Sequence, residues 1–357
     1  MSEMHTAKIP RRITIILTHE CNQRCEFCFD ASNILCKSVN SNISLSTIDQ
    51  IIDMIKRSIG DVSSFNITLS GGEPTIHPKF LKIIERFSEA GFPINILSNG
   101  QRFANESFMN KVLTYNIHHL QFSIEGATPE IHDFRVGCKG AWEKIVSAIK
   151  NAQRAGIRFV TNSTLTNSSI DEMFSIIDFL DSLGVQHMSI GSTIPECTGR
   201  NYSVFMRYPD VITIAERLTL YALTKHIAFS FIAPLPFCLK ENRIIRNITT
   251  CSAGHYAAVI DSDGTFRLCS ACNSQRIHPQ AMGSLPLIYG QLNEALEKYL
   301  KKYVPSECLK CSKLVECKAA CPLYWKIPGI DTPSQWKTYK DVENMTTCMN
   351  LHHIKNI

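Results

Sequence analysis

The sequence contains no long hydrophobic run, no block of like charge and no low-complexity tract. The apolar stretch that follows Arg11 and Arg12 spans only residues 13–17, too short for a signal-peptide core or a membrane span. The later apolar stretch at 211–237 is interrupted by charged residues such as Glu216 and Arg217. These absences exclude export and membrane insertion and predict a cytoplasmic protein.

Charge of one sign is also lacking. The chain has 37 lysines and arginines against 32 aspartates and glutamates, a net charge of +5 spread along its length. Nucleic-acid-binding arms carry dense Lys/Arg blocks, so we expect no nucleic-acid partner. With 357 residues, 44% hydrophobic and 19% charged, the chain is long enough for two or three domains with an ample core.

Cysteine is abundant, with 15 residues in the chain. Disulfides do not persist in a reducing compartment, so these thiols are metal ligands, catalytic groups or packed side chains. Nine of them fall within residues 237–357, after a segment marked by Pro234 and Pro236. This shift in composition predicts a tail at 1–12, a first domain at 13–200, a linker with the last barrel helix at 201–236, and a second domain at 237–357.

The first domain alternates short β-branched runs with helix-period segments. The runs lie at 13–17, 66–70, 94–98, 120–124, 158–162 and 187–191, and the clearest helical segments at 45–57, 80–90, 142–155 and 170–183. Six βα units predict an α/β fold with a parallel sheet, doubly wound or curled into a partial barrel. The second domain is loop-rich, with a hairpin near 261–264 and a helix near 291–303. Ligands of such sheets bind at the C-terminal ends of the strands.

Three cysteines follow the first predicted strand with C-x3-C-x2-C spacing: Cys21, Cys25 and Cys28. A short loop with thiolates at these offsets is able to hold three corners of a [4Fe–4S] cluster and leave one iron open. A zinc site completed by His19, or simple packing thiols, are the alternatives.

The second predicted strand ends in Gly71, Gly72, Glu73 and Pro74. Paired glycines allow close backbone approach at a strand end, and the Glu73 carboxylate is suited to an ammonium group. Coming one βα unit after the three-cysteine loop, this motif strengthens the cluster interpretation.

Together the two motifs resemble those of the radical S-adenosylmethionine (SAM) superfamily, over roughly residues 12–200. The resemblance implies a partial (β/α)6 TIM-like barrel in which the open iron chelates the amino and carboxylate groups of SAM. It also implies an oxidoreductase that cleaves SAM reductively to a 5′-deoxyadenosyl radical, which abstracts a substrate hydrogen. Glu73 would hold the SAM amino group, and Phe27 would lie near the adenine.

Further SAM contacts are implied at the ends of later strands. The positions are Ser98, Asn99, Ser123, Arg135 and Asn162. Arg135 resembles the arginine that pairs with the SAM carboxylate. The family often has Asp where this chain has Glu125, which leaves a ribose-binding role at that position open.

Seven cysteines of the second domain resemble the SPASM extension of radical SAM enzymes, which implies a cysteine-rich module with two auxiliary [4Fe–4S] clusters. The nearer cluster would use Cys251, Cys269 and Cys321, and the farther one Cys308, Cys311, Cys317 and Cys348.

For the fourth ligand of the nearer cluster we favour Cys238, with Cys272 or an open iron as alternatives. A four-cysteine zinc knuckle of Cys308, Cys311, Cys317 and Cys321 is the alternative for the module. Cys36, Cys138 and Cys197 match no motif and are expected to be packed thiols. No general base is identified.

Many SPASM enzymes act on ribosomally made peptides, so the resemblance implies a maturase that oxidises or cross-links a precursor peptide. Only about a dozen residues precede the first strand, so the peptide would have to be held by the barrel mouth, by the cysteine-rich module or by a separate leader-peptide-binding protein. The alternative substrate is a small molecule such as a tetrapyrrole, a sugar or a quinone-cofactor precursor. A low-potential donor of the flavodoxin or ferredoxin type would supply the electron. A non-catalytic iron–sulfur carrier or a zinc-stabilised binding module is the remaining alternative.

Overall fold

The computed structural model describes residues 9–31, 42–193, 205–239, 250–254, 256–272, 276–278, 283–327 and 329–336. Within these ranges ten strands form one sheet, in the order β10-β9-β8-β1-β2-β3-β4-β5-β6-β7. Cys36, Cys197 and Cys348 lie outside the described residues.

Seven neighbouring strands are parallel and follow one another in sequence order. They are β1 (Arg12–Thr18), β2 (Asn66–Gly71), β3 (Ile94–Ser98), β4 (Ile117–Ser123), β5 (Phe159–Leu165), β6 (His187–Ser192) and β7 (Ala228–Phe231). In the register of the sheet, Ile15 is opposite Leu69 and Ile96 is opposite Leu120. All seven strands therefore present their C-terminal ends at one edge.

Helices connect these strands in the βα pattern that the sequence predicts. They are α1 (Leu45–Ile59), α2 (Phe80–Glu89), α3 (Glu106–Val112), α4 (Pro129–Val136), α5 (Ala141–Arg154), α6 (Ile170–Ser182) and α7 (Tyr208–Thr224). Ser44 caps α1 by accepting a hydrogen bond from the Thr47 N–H, and Gly137 ends α4 in the left-handed conformation.

The two faces of the parallel strands differ in polarity. Residues such as Ile15, Leu69 and Ile96 are fully buried against the helices. On the alternate positions, Thr68 and Gln121 are polar and only half-buried. The interior of a closed TIM barrel is filled by bulky branched side chains. A polar, half-buried inner face is instead typical of a sheet that curves around a polar ligand.

The C-terminal part of the chain extends the same sheet. Strand β8 (Ala257–Ile260) pairs in parallel with β1, and an antiparallel hairpin leads to β9 (Phe266–Arg267) and then β10 (Arg276–Ile277). Helices α8 (Leu285–Tyr303), α9 (Ser306–Leu309), α10 (Leu314–Cys317) and α11 (Pro333–Trp336) follow. No helix in the described part of the chain combines the length and apolarity needed to cross a bilayer.

The expected α/β class, partial barrel and cysteine-rich C-terminal region are confirmed. Two details differ from the sequence analysis. The segment at 201–236, expected to hold a linker and a helix, also contains strand β7. Helix α8 begins at Leu285 rather than near residue 291, because the Ser284 hydroxyl caps it at the Leu287 N–H and Pro286 occupies its first turn.

Candidate active site

The three-cysteine loop lies between β1 and α1, at the C-terminal edge of the sheet. Its backbone is fixed against the end of α4 by two hydrogen bonds. The Arg24 N–H donates to the Val136 carbonyl at 2.8 Å, and the Glu26 N–H donates to the Arg135 carbonyl at 3.3 Å. Gly137 packs so closely that an added Cβ would lie 2.9 Å from the Arg24 carbonyl oxygen. Helix α4 therefore shapes the loop that carries the cysteines.

The three thiols are half-buried and lie close enough to interact electrostatically. Burial raises the pKa of Cys21 to about 12 and the pKa of Cys28 to about 11. The pKa of Cys25 is also raised by burial, and the charges of Glu125 and Cys28 add to the effect. Three thiolates here need a compensating positive charge, which the iron of a cluster supplies.

Gly71 and Gly72 are required by the close approach of the cysteine loop. A Cβ on Gly71 would lie 2.3 Å from the Thr18 carbonyl oxygen, and a Cβ on Gly72 would lie 2.2 Å from that of Glu20. The backbone N–H groups of Gly72 and Glu73 donate to the Thr18 and Glu20 carbonyls at 2.8 and 2.9 Å. The glycines thus bring the end of β2 against the segment that leads into Cys21.

The Glu73 carboxylate is buried, with 1% of its surface exposed. Its Oε1 accepts from the Thr75 N–H and hydroxyl and from the Ser98 hydroxyl, while its Oε2 accepts from the Asn99 N–H at 2.7 Å. Burial raises the pKa of Glu73, and these donors partly offset the effect. Pro74, also buried, opens the short 3-10 turn that Glu73 caps.

Ser98 and Asn99 connect Glu73 to the cysteine loop. The Ser98 hydroxyl bonds Glu73 at 2.9 Å, and the Asn99 side-chain amide donates to the Asn22 side chain at 2.7 Å. Asn22 directly follows Cys21 in the chain. The structure therefore brings the ends of β1, β2 and β3 together, as the sequence analysis expects.

Ser123 and Asn162 are neighbours in the register of β4 and β5. Both are half-buried, and the Asn162 Oδ1 accepts a hydrogen bond from the Ser189 hydroxyl at 2.9 Å. They form a second polar group at the same edge of the sheet.

Arg135 on α4 is 5% exposed and lies beside the cysteine loop. Its Nη2 donates to the Thr164 carbonyl at 2.9 Å and lies 3.7 Å from Glu125 Oε2, and its guanidinium is 5.2 Å from the centre of the Phe27 ring. The buried Nε of Arg135 has no hydrogen-bond partner among the described residues. Buried donors are usually satisfied, so this atom indicates a bound acceptor.

Glu125 is buried beneath Arg135 and is bonded through both oxygens to Thr164. Burial raises its pKa to about 7, and Arg135 lowers it only in part. Its contacts are to protein groups, so in the described structure it supports Arg135 and the end of β5.

His19 is not available as a zinc ligand, which corrects that alternative. Its Nδ1 lies 2.6 Å from an Asp30 oxygen and its Nε2 lies 2.7 Å from an Asp261 oxygen, so both ring nitrogens are engaged. Nothing in the sequence marked Asp30 or Asp261 as a partner of His19. Asp261 is 242 residues from His19 along the chain, so spacing does not reveal their contact.

Four C-terminal cysteines line one cavity of about 320 Å³, which Trp325 and Lys313 also border. They are Cys238, Cys308, Cys311 and Cys317, here called the Cys308 group. Burial is the main cause that raises the pKa of Cys308 to about 12, and the charges of Cys238 and Cys317 add to the effect. Cys238 therefore lies with this group and not with Cys251, contrary to our sequence-based preference.

The other four thiols form the Cys251 group, which consists of Cys251, Cys269, Cys272 and Cys321. Burial is the main cause of the raised pKa values of Cys251, Cys269 and Cys321, and the charge of Cys272 adds to the effect at Cys251 and Cys269. Cys272 is 3% exposed and follows Cys269 in a tight turn, its N–H donating to the Cys269 carbonyl at 3.2 Å. Cys272, the alternative to Cys238 in the sequence analysis, thus lies with Cys251, Cys269 and Cys321.

The alternative of a four-cysteine zinc knuckle is contradicted, because Cys317 and Cys321 lie in different thiol groups. Lys318, Ala319 and Ala320 between them all have positive φ angles near 55° to 60°. This left-handed turn separates Cys317, in the Cys308 group, from Cys321, in the Cys251 group. No three His, Cys, Asp or Glu side chains in the described ranges lie close enough to share a single metal ion.

Comparisons with known proteins agree with this geometry. Residues 15–180 match the family model of the radical SAM superfamily. The AdoMet-dependent heme synthase of Methanosarcina barkeri is 28% identical over 194 residues, which are 54% of this chain and about half (52%) of that protein. The mycofactocin maturase MftC of Mycobacterium ulcerans is 23% identical over 333 residues, which are 89% of this chain and 84% of MftC.

The fold is also shared with a solved structure, Streptococcus suis SuiB bound to its precursor peptide SuiA. The TM-score is 0.70 at 16% identity, over 93% of this chain and 75% of SuiB. Residues 15–180, a little under half of the chain, are therefore similar to the radical SAM superfamily.

Proposed function

We propose that this enzyme oxidises or cross-links residues of a ribosomally made precursor peptide. The observation that carries the proposal is the similarity to MftC, named a maturase, over 89% of the chain. The shared fold with SuiB, whose solved complex contains a precursor peptide, supports it.

Similarity to the superfamily implies a [4Fe–4S] cluster and SAM, and the residues at the C-terminal edge of the sheet fit both. Cys21, Cys25 and Cys28 would ligate the cluster. When bound and reduced, this cluster supplies the electron that cleaves SAM to a radical able to abstract a substrate hydrogen.

The polar residues around the loop would orient SAM. Oε2 of Glu73 accepts one hydrogen bond from protein and keeps capacity for an ammonium group. The partnerless Nε of Arg135 would meet the carboxylate, and Phe27, beneath Arg135, would lie against the adenine. Ser98 and Asn99 hold Glu73 in place, while Ser123 and Asn162 line the polar face beyond.

We further propose that the two C-terminal thiol groups each hold an auxiliary [4Fe–4S] cluster. Each group contains four cysteines in the described residues, which matches the Cys₄ ligation of such clusters. This assignment uses Cys272 in the Cys251 group and Cys238 in the Cys308 group, and it does not require Cys348. Fully ligated clusters have no iron open to substrate, which favours a role in electron transfer.

The remaining partners are proposals on the same basis. An external low-potential donor of the flavodoxin or ferredoxin type would reduce the first cluster, in a cytoplasmic setting. A separate protein would bind the leader of the precursor peptide.

A small-molecule substrate is the second candidate. It is favoured by the 28% identity to a heme synthase, although that similarity covers 54% of the chain. Under this alternative the substrate would be a tetrapyrrole.

The deciding experiment uses anaerobically reconstituted enzyme with SAM, dithionite and the peptide encoded beside its gene. Peptide maturation predicts a peptide that has lost two hydrogens for each bond formed, seen by mass spectrometry, and one 5′-deoxyadenosine per event. The matched control is the triple variant C21A/C25A/C28A, which should form neither product. An unchanged peptide, together with turnover of a porphyrin precursor, would overturn the peptide proposal in favour of the tetrapyrrole.

A further inference from the structure

A chain of ionisable side chains, buried except for its last member, links the three-cysteine loop to the C-terminal hairpin. It runs from Asp30 through His19 to Asp261 and on to Arg267 and Arg276. The exposed fractions of His19, Asp30 and Asp261 are 7%, 3% and 1%. We call the Asp30–His19–Asp261 part the His19 bridge.

Both ring nitrogens of His19 are engaged by carboxylates. The His19 Nδ1 lies 2.6 Å from Asp30 Oδ2, and the Nε2 lies 2.7 Å from Asp261 Oδ1. The imidazole is therefore held from both sides, between the cysteine loop and the C-terminal hairpin.

Asp261 is the centre of the network. Besides His19, it faces the Arg267 Nε at 3.3 Å and the Arg276 guanidinium, and its Oδ1 accepts from the Ser262 N–H at 2.8 Å. Asp263 lies 3.2 Å from Arg276 on the far side. Arg267 is buried like Asp261, whereas Arg276 and Asp263 form the exposed end of the network.

Strand pairing explains why residues 19 and 261 meet. Strands β1 and β8 are parallel, with Ile15 opposite Ile260. His19 directly follows β1 and Asp261 directly follows β8, so both side chains leave the same edge of the sheet.

We propose that His19 and Asp261 are positioning residues for the SAM-binding cluster. His19 precedes Cys21 by two residues and Asp30 follows Cys28 by two, so the bridge joins the two ends of the cysteine loop. Asp261 then anchors that joint to the C-terminal hairpin. The C-terminal part of the chain thereby fixes the shape of the loop on which the first cluster and its SAM site depend.

The proposal predicts a specific defect in the Asp261→Asn variant. The amide keeps an oxygen that accepts from His19 but removes the charge that balances His19 and the two arginines. Loss of a partner that orients metal ligands costs about 10- to 100-fold in metal affinity or activity. We expect a loss of that size in SAM affinity, measured as the SAM-induced change in the electron paramagnetic resonance (EPR) spectrum of the reduced cluster.

Asp331→Asn is the matched control. Asp331 is a buried carboxylate of the C-terminal region, bonded to the Trp336 Nε1 at 2.6 Å and to the Tyr324 hydroxyl at 3.5 Å, with no described contact to the cysteine loop. It should lower the melting temperature without changing the EPR titration. His19→Ala and Asp30→Asn should reproduce the Asp261→Asn defect. Where His19→Ala does not fold, the two Asp→Asn variants decide.

Weakened SAM titration in the Asp261 and Asp30 variants, with near-normal iron content, would support the positioning role. A titration no weaker than that of Asp331→Asn at a similar melting temperature would overturn it. The readout needs no peptide, so it is independent of whether the substrate is a precursor peptide.

Discussion

At the scale of single residues, the site contains positions so close to neighbouring backbone that no side chain fits there. Gly72 is the clearest case, because its Cα lies against the Glu20 carbonyl in the segment leading to Cys21. Its φ is not in the left-handed region, so the requirement is purely steric. The Gly-Gly-Glu-Pro motif therefore serves loop packing in addition to its proposed role in SAM binding.

We expect Gly72→Ala to displace the cysteine loop. Its Cβ would lie 2.2 Å from the Glu20 oxygen, and overpacking of this kind costs about 1–3 kcal/mol. The variant should lose about four irons per chain, those of the first cluster. Gly290→Ala on α8 is the control, because no atom lies within 4 Å of its added Cβ and alanine favours a helix. Equal iron content in both variants would contradict the expectation.

Glu125 gives a prediction about pH. Burial raises its pKa in the folded state from the usual 4.5 to about 7, so the folded state binds a proton that the unfolded state releases. The free energy of unfolding should therefore fall as the pH rises from about 4.5 to about 7, by about 3 kcal/mol from this residue. The Glu125→Gln variant should lack this pH-dependent contribution to the free energy of unfolding.

Urea denaturation of wild type and Glu125→Gln at pH 5 and pH 8 measures the effect. The stability of the variant relative to wild type should be higher at pH 8 than at pH 5. If the difference in the free energy of unfolding between the two proteins is the same at pH 5 and pH 8, Glu125 is already ionised in the folded state at pH 5.

At the scale of elements, the turn at Lys318–Ala320 separates the two auxiliary thiol groups. Each left-handed residue costs about 1–2 kcal/mol, and a β-branched residue costs more. The three residues between Cys317 and Cys321 adopt this conformation despite its cost, and the two thiols lie in different thiol groups. The turn is therefore a determinant of which cysteine joins which thiol group.

Lys318 offers a direct test of this backbone requirement. Both Lys318→Gly and Lys318→Val remove the ammonium group, but only glycine tolerates the φ of 58°. We expect the valine variant to be less stable than the glycine variant by about 2 kcal/mol and to lose auxiliary-cluster iron. At Lys313, where φ is −91°, the same pair of substitutions should show no such preference for glycine. Similar thermal melting of the two Lys318 variants would contradict the argument.

Local patterns predicted much of this structure, and contacts between distant residues were missed. Strands such as β1 and the loop at Cys21–Cys28 depend on neighbours in sequence, so periodicity and spacing identified them. Strand β7 has four residues inside a long apolar stretch, where no alternation marks it. The positions of Cys238 and Cys272 depend on contacts across up to 80 residues, which spacing alone does not encode.

At the scale of the whole molecule, the C-terminal part is joined to the barrel through the sheet itself. β8 covers the edge of β1, and Asp261 reaches His19 beside the first cluster site. The boundary at residues 236 and 237 stays a prediction, since a change in composition does not by itself define an independently folding unit. The pairing of β1 with β8 indicates how it can be tested.

We expect a fragment of residues 1–236 to aggregate. Removing β8 exposes the backbone N–H and C=O groups of β1, and an uncovered apolar edge strand pairs with other chains. It also leaves His19 and Asp30 without Asp261. Size-exclusion chromatography should therefore show the fragment in the void volume. The full-length double variant C308A/C311A keeps every strand of the sheet and should elute as the wild type does, which separates the loss of a cluster from the loss of β8. A fragment that is monodisperse, melts cooperatively and binds about four irons would show that the barrel folds without the hairpin.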